Sequence, residues 1–272
     1  MKIIVILFFS MLLALPTYGQ NRETDYLSHV LEKMNAVESV TYHCVKKAWE
    51  PGDKEPVYSV PREIYEHVNP QDTAVGYSFL CASDKEFRQP LWVYDGTVFA
   101  YIEKEEKEVR IDDFTQKSPL PFRVIMPQAF GCMKSILEYV LNTQDSIVLS
   151  LKDEGKDYLM ELSIHTPYQV EFFGKACYMP QNPYIYDPTS IYKIWISKEN
   201  DMPYRYRREM QHSISEGICS DFVYNPSGKG KIVAEDYYPA DYVRRIKGEK
   251  SQKATVDMTG KKAPDWTLTD MK

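Results

Sequence analysis

Apolar residues recur at helical spacing in two places. Leu27, Val30, Leu31, Met34 and Val37 form one stripe, which predicts a helix over Thr24 to Val37 with Thr24 as its N-cap. Met133, Ile136, Leu137, Val140 and Leu141 repeat the pattern over Cys132 to Asn142. Elsewhere the period shortens to two. In Ile147 to Leu151, Ile147, Leu149 and Leu151 alternate with Val148 and Ser150. In Tyr158 to Ile164, Tyr158, Met160, Leu162 and Ile164 alternate with Glu161 and Ser163, and Glu154-Gly155-Lys156 joins the two strands as a turn. Further strand-like runs are Ser39 to Trp49, Val75 to Ala82, Leu91 to Tyr94, Thr97 to Ile102, Gln169 to Phe173, Ile191 to Ser197, Pro203 to Gln211 and Gly217 to Tyr224. Glu235 to Tyr242 reads as either a last strand or a loop.

Turn chemistry supports hairpin connections. Asp95-Gly96 lies between two apolar runs, which predicts a type I′ turn with positive φ at both central positions. Glu103 to Arg110 mixes charges of both signs and reads as a solvated hairpin end. Pro119, Pro121 and Pro127 make Ser118 to Gln128 irregular, and Tyr178 to Thr189 is a Pro-rich loop carrying three tyrosines. Short connections imply antiparallel neighbours. The expected class is α+β: a curled antiparallel sheet, an incomplete β-barrel, covered by two or more helices.

The N-terminus carries an address. Lys2 precedes an apolar run from Ile3 to Leu15, Pro16 breaks it, and Thr17-Tyr18-Gly19 supplies small residues before Gln20. This pattern predicts a signal peptide over 1–19 and a periplasmic or extracellular protein; the alternative is an uncleaved anchor. After cleavage the chain has no further spanning segment and would not be an integral membrane protein. Removing Lys2 takes the net charge from -6 to -7. An acidic chain lacks the clustered Lys and Arg that phosphate binding needs, so nucleic acid is excluded as the main partner. Residues 246–258 are polar and read as a linker after a domain spanning 20–245.

Export also makes disulfides possible. The five cysteines, Cys44, Cys81, Cys132, Cys177 and Cys219, form no C-x-x-C and no zinc-ligand spacing, and most read as buried free thiols. His29, His43, His67, His165 and His212 form no metal-binding pair, so no metal and no cofactor are expected. No nucleophile elbow occurs. Gly228-Lys229-Gly230-Lys231 lacks the P-loop spacing, and Asp112-Asp113 and Glu235-Asp236 read as surface pairs. Arg205 to Arg208 reads as part of a solvated sheet face. No catalytic residue can be named.

The strand aromatics are the candidates for a binding role. Trp92, Tyr94, Phe99, Tyr101, Tyr192, Tyr204 and Tyr206, with Trp195, lie on strands. They either pack the core or, on a concave face, line an apolar cavity for a hydrophobic small molecule, lipid or polypeptide.

Two resemblances follow from particular residues. The helix near Asp25, Ser39-Val40-Thr41-Tyr42, Trp92-Val93-Tyr94-Asp95-Gly96 and the late hairpin Ile194-Trp195-Ile196-Ser197 to Met202-Pro203-Tyr204-Arg205 together resemble the layout of the periplasmic lipoprotein carriers (LolA/LolB-like). That resemblance implies a helix-lidded incomplete barrel with an apolar cavity for acyl chains. Thr259 to Lys272 is similar to the opening of a TlpA or peroxiredoxin-like thioredoxin-fold domain: Gly260, Ala263, Pro264, Asp265, Trp266, Leu268 and Asp270 match G-x-x-A-P-x-[FW]-x-L-x-D. It implies that 259–272 is the truncated start of such a domain, cut before its redox motif. Together they imply an exported, non-catalytic binding domain of a thiol–disulfide oxidoreductase. The alternative is a free-standing periplasmic carrier of a lipid or other hydrophobic ligand, and a weaker third reading is a hydrolase on a curled sheet. The chain as given is not expected to be an enzyme, although its parent protein would be.

Overall fold

The computed structural model describes residues 17–125 and 128–249. The predicted signal peptide over 1–19 falls outside them up to residue 16, and so does the thioredoxin-like segment at 259–272. The elements in chain order are α1 (Thr17–Asn35), β1 (Ser39–Trp49), β2 (Tyr58–Val68), β3 (Tyr77–Ala82), β4 (Pro90–Tyr94), β5 (Phe99–Glu103), β6 (Glu108–Asp112), α2 (Ala129–Asn142), β7 (Ile147–Asp153), β8 (Asp157–Ile164), β9 (Val170–Phe172), β10 (Ala176–Tyr178), β11 (Ser190–Ser197), β12 (Met202–Met210), β13 (Ser213–Tyr224), a 3-10 turn (Ala234–Tyr237) and β14 (Val243–Ile246).

Twelve strands form one sheet in the order β14-β6-β5-β4-β3-β2-β1-β13-β12-β11-β8-β7, and β9 pairs with β10 in a small separate ribbon. The sheet does not close. Period-two alternation sends one set of side chains inward: Tyr42 and Cys44 of β1, Ile64 of β2, Cys81 of β3, Met160 and Leu162 of β8, Ile194 and Ile196 of β11. These join Leu27, Val30 and Met34 of α1 and Met133, Ile136 and Leu137 of α2 in one buried cluster. Cys81 and Ile147 both belong to that assembly, yet seven strand spacings of ~4.8 Å would place them about 34 Å apart on a flat sheet. Two helices, each about 10 Å across, cannot cover that width. The sheet therefore curls around them.

Those are the two helices among the described residues, and they serve only part of the sheet. The remainder is covered by irregular chain, so the fold is richer in sheet than a barrel roofed by helices. Over β3–β5 the concave face meets Phe114 and Ile125. On the opposite, convex face, Ile232, Ala234, Tyr237, Tyr238 and Tyr242 pack over Tyr65, Leu80, Val93, Ala100, Ile102 and Val109. Strand β3 is thus buried on both sides, together with Ile64 to Glu66 of β2 and Val93 and Tyr94 of β4.

Several local expectations are corrected. Thr24 is not an N-cap: α1 runs through it, and the Ser28 hydroxyl donates to its carbonyl at 2.8 Å. Asp95-Gly96 does not form a type I′ turn. Only Gly96 has positive φ, at 96°, while the Asp95 carboxylate accepts the amides of Thr97 and Val98 at 2.8 and 2.9 Å. A Cβ on Gly96 would fall 2.4 Å from Asn69 Nδ2, so glycine is required there. Strand β2 had no counterpart in the hydropathy pattern, because Ile64, Tyr65 and Glu66 are buried in succession, on alternate faces of a doubly covered strand. Its Pro61 is tolerated because β3 pairs with β2 only from Glu63 onward, leaving Pro61 paired on one side. The stretch after Ala234 ends in β14, which pairs with β6 in parallel, the sheet's one parallel pair. Ile246 lies opposite Ile111 and is a strand residue rather than the start of a linker.

All five cysteines are free and buried, with Cys44 directly opposite Cys219 across β1 and β13. Arg205 and Arg207 lie on the outer face, where both pair with Glu216, at 3.0 and 3.1 Å. Arg208 turns inward instead and pairs with Glu171.

Candidate ligand-binding face

The register carries one aromatic tract across the concave side of β3, β4 and β5. Phe79 lies opposite Tyr94, which lies opposite Phe99; in the next row Cys81, Trp92 and Tyr101 are opposed in turn. Trp92 and Tyr101 stack with centroids 6.0 Å apart and planes 9° apart. Phe79 contacts Tyr94 at 5.7 Å and Phe99 at 6.3 Å between centroids. The Arg62 guanidinium lies 5.5 Å from the Trp92 ring centre. The sheet repeat places these rings together, since every second residue of neighbouring strands faces the same way.

An irregular strap over 113–125 crosses this face. Arg123 holds it down: its Nη1 donates to Tyr94 Oη at 2.9 Å and to the Gly96 carbonyl at 2.7 Å, and lies 3.5 Å from Asp72 Oδ1. Its guanidinium sits 4.3 Å from the Phe114 ring centre. The Tyr94 hydroxyl donates to Asp72 Oδ2 at 2.5 Å. Burial, followed by the hydrogen bond to Asp72, pushes the Tyr94 phenol well above its ordinary range, so it stays protonated as a donor.

Two hollows flank the strap. One, of about 370 Å³, is lined by Phe99, Tyr101, Ile111 and Ile246, with Arg110 and Arg245 at its edge. The other, of about 800 Å³, lies under Phe114, Leu120, Phe122 and Val124, with Lys175 at its edge. Asp112 and Lys247 border both. Tyr101 remains 44% exposed. Around the smaller hollow the cations are balanced: Glu108 pairs with Arg110 and Arg245, and Asp112 with Lys247. Its rim is therefore close to neutral, whereas the larger hollow carries Lys117 and Lys175 as well.

The sequence candidates divide. Trp92, Tyr94, Phe99 and Tyr101 come together on the tract. Tyr192 and Tyr206 are buried in the main core instead. Tyr192 donates to the Val170 carbonyl at 2.9 Å and packs edge-on against Phe172. Tyr206 lies so close over Gly217 that a Cβ there would come within 2.4 Å of its ring. Both occupy volume that a ligand would need. Tyr204 stands apart near Met202 and Phe222, with its hydroxyl donating to Asp157 at 2.8 Å. Phe79, Arg62, Phe114 and Arg123 belong to the face although no sequence pattern singled them out. Phe79 was recoverable, since Tyr77, Phe79 and Cys81 alternate. The strap residues carry no periodic signal.

Among the described residues, no group of three or more His, Cys, Asp or Glu is placed to hold a metal, and no helix is long and apolar enough to cross a membrane. No protein-family model matches the chain. No curated protein matches it either. Solved structures do. LprF from Mycobacterium bovis is 10% identical, with a TM-score of 0.38, over 77% of this chain and 98% of that one. The lipoprotein LppX from Mycobacterium tuberculosis is 8% identical, with a TM-score of 0.35, over 75% and 96%. A LolA superfamily protein from Nitrosomonas europaea is 10% identical, with a TM-score of 0.28, over 80% and 99%. At such values it is the chain's own surface chemistry that bears on function.

Proposed function

We propose that this protein is an exported, non-catalytic carrier of an apolar or amphiphilic small molecule, held on the concave side of β3–β6. One observation carries the reading: the aromatic tract runs on past the cover of the helices and ends at Tyr101, half exposed and lining the hollow of about 370 Å³. Contiguous apolar surface beside a preformed concavity of several hundred Å³ is what small apolar ligands require. The apolar run Ile3 to Leu15 supports export. The alternative role, as the binding domain of a thiol–disulfide oxidoreductase, rests on 259–272, and the described residues add nothing to it.

The test uses Trp92 as reporter. A fatty acid carrying a nitroxide on its chain should quench tryptophan fluorescence saturably, and Trp92→Phe should remove most of the quenching. Tyr101→Ala should weaken binding by about tenfold, from the loss of one large half-buried ring. Quenching that fails to saturate, or that is the same in Tyr101→Ala, would refute the carrier.

A further inference from the structure

The larger of the two hollows beside the strap differs from its neighbour in charge. Its charged lining is Lys117, Arg123, Lys175 and Lys247 against Asp112 alone. At about 800 Å³ it lies within the usual range for a site that encloses a small molecule. It meets the smaller hollow at Asp112 and Lys247, so an elongated guest lying along Tyr101 can reach it.

The carboxylates of this region are already engaged. Asp112 accepts the Lys247 ammonium at 2.6 Å and the Phe114 amide at 3.0 Å. Asp72, buried behind Arg123, accepts the Tyr94 hydroxyl and the Ala74 amide and pairs with Arg123 itself. Asp113, next along the chain from Asp112, holds the Thr115 amide and hydroxyl. Glu249 lies two residues beyond Lys247 and lines neither hollow. Lys117 and Lys175 are left, neither with a carboxylate at ion-pair distance among the described residues; the Lys175 ammonium reaches only the Thr73 carbonyl, at 3.5 Å. Both lysines follow anchored residues. Gly174 has φ of 81° and lies so close to Val75 that a Cβ would run into the Val75 carbonyl, while Phe173 stacks on Phe122 of the strap at 5.8 Å. The Gln116 side chain lies over Gly248, where a Cβ would come within 2.5 Å of its Cδ. The backbone thus fixes where the two free cations stand on the rim.

We infer that the amphiphile carried is anionic: a carboxylate or phosphate head pairs with Lys117 and Lys175, and its first carbons lie against Phe114, Leu120 and Phe122. The inference rests on the carrier reading and specifies its ligand. Two ammonium groups without counter-charges beside an apolar wall attract an acid head and repel an amine. A neutral head gains no charge pairing there.

Four decyl probes that differ in the head test this: decanoate, decyl phosphate, decan-1-ol and decylammonium. Each is titrated at pH 7 into the full chain labelled with 15N, and the amides of Tyr101, Lys117 and Lys175 are followed. Decanoate and decyl phosphate should shift all three saturably, and the tighter of the two identifies the head. Decan-1-ol should bind about tenfold more weakly than the better acid, and decylammonium more weakly still. The double variant Lys117→Gln, Lys175→Gln should weaken the acids by about tenfold and leave decan-1-ol unchanged. Both side chains are exposed, so this variant should keep its fold. Decan-1-ol or decylammonium binding as tightly as the acids, or acids bound equally well by the double variant, would overturn the anionic head and leave the carrier standing. No saturable shift with any of the four would overturn the carrier reading, and this inference with it.

Discussion

Glu66 makes the stability of this fold depend on pH in a direction opposite to that of a paired surface acid. Burial raises its carboxyl from 4.5 to about 6, even though Tyr42, the Gly131 and Phe130 amides and Lys46 favour the charged form. Between those two values the folded state holds more protons than the unfolded chain. This group's contribution is therefore complete below pH 4.5 and is lost as pH rises through 6. The difference between the two values corresponds to about 2 kcal/mol. Glu66→Gln abolishes the titration and keeps the shape, at the cost of setting its amide donor against the Gly131 N–H. Urea unfolding of both proteins at pH 4.5 and at pH 7 isolates the effect, because the other titrating groups cancel in the difference. The wild type should lead the variant by about 2 kcal/mol more at pH 4.5 than at pH 7. A difference that is flat across the two pH values, or that grows with pH, would refute the account of Glu66 as a desolvated carboxylate.

Three further results are expected. Gly131→Ala should lower stability by about 2–4 kcal/mol in chemical denaturation, although the same change in an open helix stabilises by about 1 kcal/mol, because the added carbon meets the Tyr77 ring at 2.5 Å; a gain in stability would contradict the packing at that corner. Arg123→Ala removes two hydrogen bonds and the contact with Phe114, leaving Asp72 buried beside the Tyr94 hydroxyl. It should cost about 1–3 kcal/mol and speed proteolytic cutting within 113–125; an unchanged cutting rate would show that Arg123 does not hold the strap. Amide exchange should be slowest in β3, whose six residues are all buried, and much faster in β7, where Val148 is 60% exposed. Equal protection in the two strands would argue against the unequal cover of the sheet.

The hydropathy pattern located both helices and most strands because one-sided burial writes itself as alternation. Ile147, Leu149 and Leu151, or Met160, Leu162 and Ile164, face a core on one side and solvent on the other. It failed at β2, where both faces are covered and Ile64, Tyr65 and Glu66 are buried together. It failed again at β14, whose four residues carry two arginines, because its place is set by pairing with β6 rather than by an apolar stripe. The candidate site was half legible. Trp92, Tyr94, Phe99 and Tyr101 lie on strands joined by a short turn, so local sequence brings them together. Tyr192 and Tyr206 share their residue type and alternation, and only the position of α2 overhead makes them core. Glu66 of β2 accepts the Gly131 amide of α2 across 65 positions of sequence, and no local pattern reports that.

The unequal cover of the sheet has a mechanical meaning. Strand β3 sits between two sealed layers and can act as a fixed keel, while β7 and β8 hang from β11 with one flank in solvent. Breathing of the molecule then falls on the wing opposite the aromatic tract. The wall that would grip a guest stays rigid, and the compliance needed to admit one has to come from the strap laid across it.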